Sequence, residues 1–226
     1  MRYTLAFLLL PLLLFQPALA QQQGYWLRLY VRTQLGPRCT LHSEVDERRR
    51  ALPDQQWQLI THQHLHYRVS PVWDGAAGAS YSWQPQGGVL VPERRTFEEV
   101  SASFPLSARF RLQPRLRVEQ RWQQRAGSTD EEPAWVFRAR YRSRLQLECR
   151  LSEAWKLRAS NELMLHGLAF DQNRLYAGAE RRLGAGFALE LGYLHLWQKA
   201  TGAGSLLQRD VLRLTLFKDL SLLPAS

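Results

Sequence analysis

Lysine is almost missing from this 226-residue chain: Lys156, Lys199 and Lys218 stand against 27 arginines. Cysteine is as scarce, with only Cys39 and Cys149. Past the first twenty residues no stretch approaches the roughly 18 apolar residues that a membrane-crossing helix needs. Any passage through a bilayer would therefore require a closed barrel, the other structure that satisfies its own backbone in lipid. Helical periodicity is absent too, so helix content is expected to be low. The formal net charge is +10, yet no basic helix, zinc-finger spacing or aromatic RNA-binding signature accompanies it, and nucleic acid is not an expected partner.

The first twenty residues read as a cleaved signal peptide. Arg2 supplies the positive start, Leu5 to Phe15 an apolar core broken by Pro11, and Ala18-Leu19-Ala20 a small-x-small cleavage site. Gln21, not Cys, follows the expected cut, which argues against a lipid anchor. Residues 21–226 are expected to form one domain outside the cytoplasm, because no linker divides them.

What the chain has in quantity is alternation. From Phe137 to Glu148 a polar or charged residue falls at every second position. A β-strand sends successive side chains to opposite faces, so Arg138, Arg140, Arg142, Arg144, Gln146 and Glu148 share one side. Phe137, Tyr141, Leu145 and Leu147 share the other. Turn-forming residues cut the mature chain into about eleven such runs, most of ten residues or more, the length of a tilted bilayer-crossing strand. Short turns at Gly36-Pro37, Ser70-Pro71, 105–108, 151–154 and 183–186 alternate with longer loops at 49–56, 84–95, 123–134 and 198–208. The fold class expected is all-β, an antiparallel up-and-down transmembrane barrel of 10–12 strands, with even parity favouring ten or twelve. In that fold Cys39 and Cys149 point outward from separate strands and stay as free thiols.

Tryptophan placement fits the same fold. Trp26, Trp57, Trp73, Trp83, Trp122, Trp135, Trp155 and Trp197 all fall at or near strand ends, where an indole belt would meet lipid headgroups. The arginines are expected to line the lumen and pair with Glu119 and Glu162, since charges in an enclosed interior need partners.

Several short segments resemble a known family: Phe170-Asp171-Gln172-Asn173-Arg174-Leu175-Tyr176-Ala177-Gly178, Leu189-Glu190-Leu191-Gly192-Tyr193, Val118-Glu119-Gln120-Arg121, the Arg138–Arg144 strand and Asn161-Glu162. They are similar to domain of unknown function 2490. That resemblance implies a Gram-negative outer-membrane barrel and carries no catalytic residues. The tail Ser221–Ser226 departs from the terminal aromatic that such barrels often present to the assembly machinery.

Two constellations could carry chemistry. His62, His64 and His66 share a strand face about 7 Å apart and could hold zinc or copper, with His42, Glu44 and Asp46 on the preceding run as further ligands. A wall-embedded hydrolase would draw on Ser80, Ser82, Asn161, Glu162, His166 or His195, though no spacing singles any of them out. Three functional readings follow: a monomeric outer-membrane barrel serving as structure, narrow channel or surface binder; a hydrolase of lipid or lipopolysaccharide; and a soluble periplasmic β-protein binding an acidic ligand. The first is favoured, with lipids, lipopolysaccharide and the barrel-assembly machinery as partners and no cofactor.

Overall fold

The computed structural model describes residues 22–86, 89–125, 134–199 and 206–223. The signal segment, the acidic Asp130–Glu132 stretch, the Gly202–Gly204 stretch and the last three residues of the tail lie outside them. The strands are β1 (Gln22–Gln34), β2 (Cys39–Arg50), β3 (Gln55–Arg68), β4 (Trp73–Gln86), β5 (Val89–Ala102), β6 (Phe104–Pro105), β7 (Phe110–Gln124), β8 (Trp135–Arg150), β9 (Trp155–His166), β10 (Ala169–Gly184), β11 (Phe187–Lys199) and β12 (Leu206–Ser221). The two-residue β6 continues β5 after a break at Ser103, and both pair with β7 in one register. The wall therefore has eleven strands, each antiparallel to its chain neighbour, closed where β1 meets β12.

That closure is parallel, running from Gln22↔Arg209 to Gln34↔Ser221. The up-and-down all-β barrel is as expected, but the count is odd where parity favoured ten or twelve, and the first run lies in the wall. An odd wall must carry one parallel seam. A parallel ladder still pairs every backbone group, with slanted bonds, so closure leaves no open edge.

The short-turn end is built by repetition. Val69-Ser70-Pro71-Val72-Trp73, Leu106-Ser107-Ala108-Arg109-Phe110 and Leu151-Ser152-Glu153-Ala154-Trp155 adopt one turn. In each, the serine hydroxyl accepts the N–H of the aromatic three residues on, at 3.0, 3.1 and 3.2 Å. The aromatic carbonyl accepts the N–H of the leading apolar residue. The serine thus supplies the local bond that fixes a tight turn. At the opposite end the strands outrun their expected limits: β2 extends to Arg50 and β3 restarts at Gln55, while β4 and β5 reach Gln86 and Val89. Polar residues there still make ladder bonds, and Arg49 bridges to Glu47 and Asp54 across the turn.

Alternation sorts the wall into two faces. Leu29, Leu116, Leu145, Leu191, Leu212 and Leu214 are among many apolar side chains exposed on the outside. Cys39 and Cys149 are free thiols. The outer face is not wholly apolar: across β2 to β7 it carries Ser43–Gln63 and Thr96–Gln120–Glu98, whose polar groups bond to one another.

Trp73, Trp83, Trp122, Trp135 and Trp155 stand outward near strand ends, but Trp26 and Trp57 do not. Trp26 is 1% exposed, on the lumen side of β1 with Arg28, and is corrected from belt to core. Trp57 packs against it because the β2–β3 register shifts between Arg48 and Arg49, leaving Trp57 in a bulge that turns it inward. Trp197 lies half-buried edge-on to His195.

Trp26, Tyr176, Leu194, Leu196 and Val211 form the buried apolar cluster inside the barrel. Tyr176 reaches Glu190, its hydroxyl donating at 2.7 Å, by lying flat over Gly178 and Gly192. A Cβ on either glycine would overlap the phenol ring. Gly192→Ala is expected to lower unfolding stability by about 1–3 kcal/mol, the usual cost of overpacking. Denaturant unfolding in detergent checks this, with Tyr176→Leu/Gly192→Ala recovering part of the loss.

Candidate functional site

The lumen holds an ion-pair network in which each central carboxylate serves several arginines. Glu119, on β7, is fully buried and bonds Arg140 and Arg142 on β8 at 2.6 and 2.7 Å. Glu162, on β9, meets Arg142 at 2.8 Å and also Arg115. Glu93 binds Arg121 at 2.6 Å and Arg95, Asp46 binds Arg28 and Arg48, and Glu99 binds Arg117. Direct cross-strand pairing places some of them: Glu119 lies opposite Arg140, and Glu99 opposite Arg117. Guanidinium groups bond both carboxylate oxygens of Asp46, Glu93 and Glu119, which an enclosed pair requires. The pairing expected for Arg140 and Arg142 is present. Arg138 and Arg144, by contrast, have no carboxylate within ion-pair distance among the described residues.

Between these side chains lies a cavity of about 630 Å³. Its wall presents thirteen arginines and Lys199 against only three carboxylates, Glu44, Glu162 and Asp171. The fully buried Asp46, Glu93 and Glu119 stand behind the guanidinium layer. The cavity extends from Gln84, Gln123 and Gln198, near the long-loop end, to His64, Arg144 and Gln146. Toward the short turns the lumen is filled by Tyr30, His42, His66 and Phe217 and by Arg158 bridged to Glu148, Glu180 and Glu190.

The histidine grouping differs from the run expected on one strand. His42 of β2 pairs directly with His64 of β3, and their ligand atoms with that of His66 all lie within 4.8 Å of one another. His62 stands apart: it approaches Glu44 at 3.8 Å and packs edge-on to Phe97. The proposed His62–His64–His66 set is corrected to His42–His64–His66, because cross-strand neighbours lie closer than residues two apart on one strand. Glu44 and Asp46 are taken up by Arg28 and do not join it.

No serine hydroxyl bonds a histidine among the described residues; Ser80 Oγ has no partner, and Ser82 accepts from Gln84. His195 is held by Asp210 at 2.6 Å on the outer face, and His166 by Arg121 and Asp171. The arrangement offers no serine–histidine pair among the described residues.

A closed barrel with a largely apolar exterior, an arginine-walled interior and, among the described residues, no serine–histidine pair is thereby defined. The chain belongs to the family described as "Protein of unknown function (DUF2490)", whose profile matches residues 23–206. No curated protein matches the chain.

Proposed function

We propose that this protein is an outer-membrane barrel whose lumen forms a chamber for a small phosphorylated or carboxylated anion. The chamber wall carries the reading: thirteen arginines and a lysine face three carboxylates. Guanidinium grips phosphate and carboxylate through two parallel N–H···O bonds. The volume of about 630 Å³ suits a small-molecule site. Among the described residues Arg138 and Arg144 make no ion pair and so can bond a solute, and the Nε of Arg144 is buried without a partner. A through-channel fits less well, because side chains fill the lumen on its short-turn side.

Two aromatic girdles support the membrane location. Trp73, Phe104, Phe110, Trp155 and Phe187 stand exposed near the short turns, and Trp83, Trp122, Trp135 and Phe137 near the other end. Trp73 and Trp83 lie ten positions apart on β4, roughly 33 Å of strand, or about 25 Å of height at the usual tilt.

Isothermal titration of the refolded barrel with pyrophosphate and with citrate tests the chamber. Saturable binding is expected, weakened at least about tenfold in Arg138→Gln/Arg144→Gln and weakened further by salt. Absence of binding to a folded barrel, or equal affinity in the double variant, overturns it. Envelope fractionation tests the location, and recovery of the processed protein in the soluble periplasmic fraction would refute it.

A further inference from the structure

We propose that His42, His64 and His66 form a three-imidazole site for zinc or copper at the short-turn end of the lumen, adjoining the anion chamber at His64. Their ligand atoms already lie within 4.8 Å of one another. His66 Nε2 stands 2.9 Å from His64 Nδ1, and the His42 and His66 rings stack at 3.9 Å.

Hydrogen bonding on the far side of the rings decides which nitrogens are offered. Asp74 Oδ1 lies 2.6 Å from His66 Nδ1. A carboxylate only accepts there, so Nδ1 carries the proton and Nε2 turns its lone pair into the cluster. The Tyr30 hydroxyl, 2.8 Å from His42 Nδ1, holds that ring in place and can accept its Nδ1 proton, which leaves Nε2 to the cation. A carboxylate–histidine pair and an oriented second imidazole are the outer-shell arrangement of metal-binding histidines. The cation would replace the His64–His66 hydrogen bond, with the Nδ1 proton of His64 moving to Nε2 so that each ring stays a neutral ligand.

The wall leaves room for this. Beside His64 on β4 stands Gly78, where a Cβ would come within 2.5 Å of the His64 Cβ, and beside His66 stands Ala76. The donor set selects the ion. Three neutral imidazoles with no thiolate suit Zn²⁺ or Cu²⁺ and do not suit Ca²⁺ or Mg²⁺, which prefer oxygen. Approach comes from the turn side, where Asp74 is about one-third exposed, because the arginine wall repels cations from the chamber side.

Titration of the refolded, full-length barrel with ZnCl₂ by calorimetry is the test. One equivalent should bind. His42→Ala/His64→Ala/His66→Ala should abolish binding, His62→Ala should leave it unchanged, and Asp74→Asn should weaken it by about 10–100-fold. CuCl₂ on the unaltered protein gives a second readout that does not depend on variants folding: electron paramagnetic resonance should resolve three coordinating nitrogens. A folded barrel that binds no Zn²⁺, binding retained in the triple variant, or a copper spectrum with fewer nitrogens overturns the site.

Discussion

Glu119→Ala is expected to cost about 3–5 kcal/mol of unfolding stability, the range for removing one partner of a buried ion pair. Glu119 is fully buried and takes bonds from both Arg140 and Arg142, with Arg95 3.7 Å away. Removing it leaves two guanidinium groups facing only each other and their remaining neighbours. Arg142 keeps Glu162, whereas the other pairing of Arg140 is a contact to Asp171 at 3.8 Å. Denaturant unfolding in detergent measures the loss. Glu98→Ala serves as control, since Glu98 lies on the outer face and bonds only Gln120. An unchanged midpoint for Glu119→Ala would mean that the lumen is wet enough to solvate its arginines without carboxylates.

Leu191→Arg should destabilise the barrel by about 2–4 kcal/mol in a bilayer, the cost of a cation on the lipid face near mid-membrane. Leu191 is 59% exposed, in the middle of β11 beside Leu214 and Ala179. On a water-soluble protein the same substitution would exchange an exposed apolar group for a solvated one and cost little. The sign of the result therefore bears on what surrounds the wall. Folding into vesicles, compared with folding in a zwitterionic detergent, gives the measurement, and a neutral effect in vesicles would count against lipid around β11.

Alternation made the two faces and nearly every strand legible, because period two depends only on a strand's own residues. The facing arginines and carboxylates followed from the same rule. Features that depend on register did not. The meeting of His42 with His64 is set by how β2 lies against β3, and the single-residue shift at Arg48–Arg49 turned Trp57 inward. Neither strand records that shift alone. Trp26 was readable, since it shares parity with Arg28, Tyr30 and Arg32; position near a strand end outweighed parity in the belt reading. The repeated apolar–Ser–x–x–aromatic turn was also present in the sequence, at Val69, Leu106 and Leu151. It marks the ends of three hairpins more sharply than glycine and proline do. The long-loop boundaries lie beyond those that polarity predicts, because polar residues still carry ladder bonds through Arg50 and Gln86.

The parallel seam has a practical corollary for labelling. Since β1 and β12 run side by side in the same direction, Gln22 and Ser221 sit at opposite mouths of the cylinder. In the proposed outer-membrane location, an epitope joined ahead of Gln22 and another joined after Leu223 would report from different compartments. One antibody applied to intact cells, before and after permeabilisation, would then read out the handedness of insertion directly.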